Sequence, residues 1–181
     1  MKTDANKQRV TKLDAARRQL RTAVALFFGS GDDVSIHTLV AAARQVLVDL
    51  LKKRGKKSRL QQHEEDLFTE EGLKIFRTAI AQAENFFKHA DRDPDSEIEF
   101  STKNTEFMLV ECAEFYSVIT GRMLRELWVF MLWFAFEYPD LLLPGLLLDA
   151  VKKAKEERIP VKDKRIFFEA VNVPRLWPNL D

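Results

Sequence analysis

Residues 11–50, TKLDAARRQLRTAVALFFGSGDDVSIHTLVAAARQVLVDL, decide the fold. Leu13, Ala16, Leu20, Val24 and Phe27 recur at steps of three and four, which is one apolar helix face. Thr11, followed three residues later by Asp14, makes an approximate capping box at its start. Gly29-Ser30-Gly31-Asp32-Asp33 stops this helix. A second stripe follows at Ile36, Val40, Ala43, Leu47 and Leu50, with Asp33 or Ser35 as its expected cap. So short a loop between two amphipathic helices predicts an antiparallel hairpin.

Reading outward, residues 55–68 are polar and expected to be irregular. Thr69 with Glu70 and Glu71 opens a third helix, whose stripe is Leu73, Phe76, Ile80, Ala83 and Phe87 and whose end falls near Ala90. Residues 91–96 form a turn, and 97–100 alternate like one short extended piece without a partner strand. A long fourth helix is expected from Ser101, Thr102 or Asn104 through Phe136, then a polar helix over 146–158 and a short one over 163–171. The reading is all-α: an antiparallel helical bundle of five to seven helices in a single domain over 1–181, with a flexible 1–9 and a packed or extended tail over 172–181.

The chain has 181 residues and a formal net charge of +1, enough length for its own core. One cysteine, Cys112, excludes an intramolecular disulfide framework and falls on an apolar flank as core filler. The N-terminus has no apolar run, so the expected compartment is the cytoplasm. The most apolar stretch is 127–148. Ten uncharged residues, Leu127 to Phe136, are followed by Glu137, Pro139, Asp140 and Pro144, which fits a buried helix or a subunit contact better than a membrane span. This stretch, with three tryptophans in the last third of the chain, motivates a homodimer or protein partner through 127–148 and no membrane.

Charge is unevenly spread. Residues 1–62 carry 14 Lys+Arg against 5 Asp+Glu, and residues 63–117 carry 5 against 14. Six of the eight residues 52–59 are cationic; they could contact phosphate, or complement a helix C-terminus.

Three histidines are the candidate chemical groups. His63 lies in a charged loop. His37 sits one step off the second helix's stripe, on the side of Arg44. Asn85, Lys88 and His89 share one face at the end of the third helix, where His89 serves either as a C-terminal cap or in acid–base work. No metal or cofactor is expected. The alternating acids Asp91, Asp93, Asp95 and Glu97 fail a calcium loop, with Ser96 at the sixth position and Thr102 at the twelfth. Phosphate-cradling glycine loops and nucleophile motifs are missing from the sequence.

Two stretches, Val34-Ser35-Ile36-His37-Thr38-Leu39 and residues 85–94 (NFFKHADRDP), resemble a group of uncharacterised bacterial helical proteins, which implies a bacterial cytoplasmic protein but does not point to any particular activity. A looser likeness is to the HEPN superfamily, small α-bundle domains that often dimerise and include RNA-cutting toxins. The superfamily motif places an arginine, often followed by asparagine, four to six residues before a histidine. Asn85 and His89 match its latter part, and the arginine position holds Glu84. This likeness implies His89, oriented by Asn85, and His37 as proton-transfer groups, with Lys88 or Arg44 binding RNA phosphate. Three functions are therefore expected in order: a non-enzymatic helical protein acting through a partner or dimer interface, a HEPN-like RNA-binding or RNA-cleaving protein, and a small-molecule or metal binder between helices.

Overall fold

The structure is a computed structural model that describes residues 7–62, 70–91, 93–142, 145–157 and 163–172. His63, Thr69, Pro144, Pro160 and the tail with Trp177 lie outside the described residues. The helices are α1 (Lys12–Phe28), α2 (Asp33–Lys53), a single turn α3 (Arg59–Gln62), α4 (Glu70–Phe86), α5 (Thr102–Thr120), α6 (Arg125–Glu137), α7 (Leu146–Glu156) and α8 (Lys164–Asn172). A 3-10 turn, Pro139–Leu141, follows α6. Seven of these helices exceed one turn, and the described residues include no strand. The all-α bundle is therefore what the periodicity predicts.

The α1–α2 hairpin is set by its loop. Thr11 Oγ1 accepts from the Asp14 backbone N–H at 3.1 Å and starts α1. Ser30 takes the left-handed conformation (φ 56°), and Gly31 N–H donates to Leu26 C=O at 2.7 Å, a Schellman-type stop. Gly31 is required by close approach, because a Cβ there would stand 2.9 Å from the Leu26 side chain. The cap of α2 is Asp32, which accepts from Ser35 N–H at 2.8 Å, and not Asp33 or Ser35. Asp32 precedes the helix with extended backbone, as an N-cap must.

The expected long fourth helix is two helices. Gly121 adopts φ 77° and closes α5, its N–H donating to Ser117 C=O at 2.8 Å. The chain turns at 121–124 before α6. The apolar spacing runs on through the break, which hides it from periodicity alone. Residues 55–68, expected to be irregular, include the α3 turn, and α4 ends at Phe86, before Ala90.

The bundle is built on α1, α2 and α5. α6 packs on α1 and α5, α8 lies against α1 and α6, α7 touches α6, and α4 rests on α2 and α5. Within α6, Leu127, Val129, Phe130, Trp133, Phe134 and Ala135 are buried inside this one chain. Of the described helices, α2 alone is long and apolar enough to cross a membrane by length and composition, and its apolar face packs on α1 and α5.

Candidate functional site

The two histidines of interest stand in opposite settings. His37, on the second turn of α2, is 0% exposed. Its Nδ1 shares a hydrogen bond of 2.8 Å with Thr105 Oγ1 on α5, and Nε2 has no partner among the described residues. The rings of Phe87 and Phe100 stand edge to face with the imidazole, centroids 5.6 and 4.9 Å away. Burial pushes its pKa below the usual histidine value; Glu84 opposes that shift and Lys88 adds to it. A ring so enclosed has no route to a substrate.

His89 is exposed, just beyond α4, and its N–H donates to Asn85 C=O at 3.0 Å. It lines an open cleft of about 850 Å³ between the end of α4 and the 91–99 segment. Asn85 lines the same cleft, so the structure brings these two predicted residues together. Four carboxylates also line it, Asp91, Asp93, Glu97 and Glu99, beside the neutral Gln82 and Ser96. Phe86 and Ile98 supply its apolar part.

The two predicted phosphate contacts are engaged elsewhere. Lys88 pairs with Glu84 one helical turn away. Arg44 forks onto Glu111 of α5, Nε to Oε2 at 2.7 Å and Nη2 to Oε1 at 3.1 Å. Burial disfavours the Arg44 charge, but the Glu111 bonds outweigh it and hold its pKa above the ordinary range. The basic 52–59 run also has structural employment. Arg54 Nη1 donates to Ile119 C=O and Lys56 Nζ to Val118 C=O, both at 2.9 Å, so they cap the orphan carbonyls at the end of α5. Cys112 is wholly buried, and burial raises its thiol pKa far above the nucleophilic range.

Sequence reasoning missed the four cleft acids as a set, because they fail the calcium-loop pattern. Their signal was the excess of acid in residues 63–117. None of the four carboxylate groups makes a hydrogen bond or ion pair to a described residue, although the Asp93 backbone C=O accepts from Ser96 N–H at 3.1 Å. By contrast, Asp14, Glu84, Glu111, Glu126 and Asp163 each hold a cation. No three His, Cys, Asp or Glu among the described residues are arranged to hold a metal ion. Compared with known proteins, the chain matches no family model, no curated protein and no solved structure.

Proposed function

We propose that this chain is a non-enzymatic binding protein, and that the acidic cleft receives a Lys/Arg-rich segment of a partner protein. The observation that carries this reading is the set of four carboxylates, unpaired among the described residues, around one open cleft with an apolar patch. Unpaired like charges repel one another and gain when a cation enters. The apolar patch of Phe86 and Ile98 suits the alkyl stems of lysine and arginine. Catalysis finds little support. His37 is enclosed, Arg44 and Lys88 are paired, and acids surround His89 where an RNA phosphate would have to approach.

The test is calorimetric titration with decalysine and, separately, with a single-stranded RNA oligomer, at about 20 and 200 mM salt. Those concentrations bracket the range over which surface charges become screened. Decalysine is expected to bind at low salt and weaken at high salt. The variant Glu97→Gln/Glu99→Gln should bind it at least several-fold more weakly. RNA binding lost on His89→Ala, with none for decalysine, would overturn the reading.

Self-association through the 127–148 region is a second reading, favoured by Leu141, which is 59% exposed just after α6. A light-scattering mass of twice 21.0 kDa, reduced to the monomer by Leu141→Asp, would support it.

A further inference from the structure

The cleft owes its shape to residues that do not line it. Its two walls are the end of α4 and the 96–99 segment, and each wall continues inward into one phenylalanine, Phe87 and Phe100. These rings meet edge to face with centroids 5.2 Å apart, and both meet the His37 imidazole. Thr105 of α5 closes the cluster through its 2.8 Å bond to Nδ1. One titratable ring therefore joins α2, α4, α5 and the loop segment.

We infer that His37 is a pin holding the two walls of the cleft together, and that its protonation releases them. The part concerning ligand rests on the binding role proposed above. The physical reason is acceptor supply. A cationic imidazole has two N–H donors, and Nε2 faces no acceptor among the described residues. The charged groups around it do not fill that gap. From α4 and the turn just after it come Glu84 and Lys88, which pair with each other. From α5 comes only neutral Thr105. Asp33, one turn earlier on α2, and Glu97 and Glu99 on the loop segment are exposed. Burial therefore keeps the folded ring's pKa below its value in the opened chain.

The sign follows from linkage. Above about pH 6.5 the ring is neutral in both closed and open forms, and the pin is intact. As pH falls below that value the open form takes up the proton first. The open population then rises about tenfold per pH unit until the folded ring also titrates. Because α4 rests chiefly on α2 and α5 among the described residues, release of 85–100 precedes loss of the bundle.

The experiment is hydrogen exchange read by mass spectrometry on the full chain at pH 7.5 and 5.5, corrected for intrinsic exchange. The His37 ring is followed by NMR across the same range. Peptides covering 85–100 are expected to lose protection relative to α1 and α6, by up to about tenfold. His37→Leu should hold that protection level across pH. If that variant does not fold, the wild-type ring decides. A His37 midpoint at or above 6.5, or titration without change in 85–100, overturns the inference, and so does a loss spread evenly over α1 and α6. Decalysine binding separates the two ideas. Failure to bind at pH 7.5 with the protection change intact removes the ligand reading and leaves the pin. Binding that is constant from pH 7.5 to 5.5, with flat protection, removes the pin and leaves the ligand reading.

Discussion

Two aromatic clusters in this molecule meet charge in opposite ways. Under α8, Phe27, Phe28, Phe130, Trp133 and Phe167 pack as one group, flanked by one exposed cation, Lys164, and one buried cation, Arg125. Lys164 Nζ stands 3.8 Å from the Phe27 ring centroid, and Arg125 Nη2 donates to Val171 C=O at 2.8 Å near the other end of α8. Both cations find a partner there, an aromatic face or a helix-end carbonyl, although Nε of the buried Arg125 has none among the described residues; neither cation loses its charge near neutrality. Under the end of α4, Phe87 and Phe100 instead enclose a titratable base with one ring nitrogen unmet. The first cluster is a permanent joint, because nothing in it must change charge near neutrality. The second is a joint whose strength depends on a proton.

The comparison breaks most visibly at Trp133, which is 5% exposed and touches Phe27, Phe28 and Phe130. Trp133→Ala should cost about 3–5 kcal/mol in urea unfolding, with little change between pH 7.5 and 5.5. Arg44→Met should cost about 2 kcal/mol, since it strands the half-buried Glu111 carboxylate, and Arg44→Met/Glu111→Leu should recover part of that loss. Thr105→Val keeps the shape and removes the hydrogen-bond partner that the His37 ring has among the described residues, at a cost of about 1–2 kcal/mol, and exchange of 85–100 should quicken most. Lys164→Ala should cost about 0.5–1 kcal/mol, the size of an exposed cation–π contact, and leave the α4 end untouched. Equal pH sensitivity in both clusters would erase the distinction.

Much of this fold was legible in the sequence because its helices carry their own punctuation. The stripes of α1 and α2, the Thr11 cap and the 29–33 stop are local facts, and the structure follows them. The break at Gly121 was not legible, since Leu109 to Leu127 keep helical spacing on both sides of a glycine that alone marks the turn. The candidate site was half legible. Asn85 and His89 meet in one cleft because they share one helical turn. That His37 turns inward, that Arg44 is taken by Glu111 and that Arg54 and Lys56 cap α5 are all consequences of α2 lying against α5. Contacts separated by more than sixty residues leave no trace in spacing.

The most direct test of the account is a hydrogen-exchange footprint of the chain at pH 7.5 with and without saturating decalysine. The account predicts added protection confined to residues 82–99, around the four carboxylates. Protection appearing instead over 127–148, or none at any concentration in low salt, would contradict it.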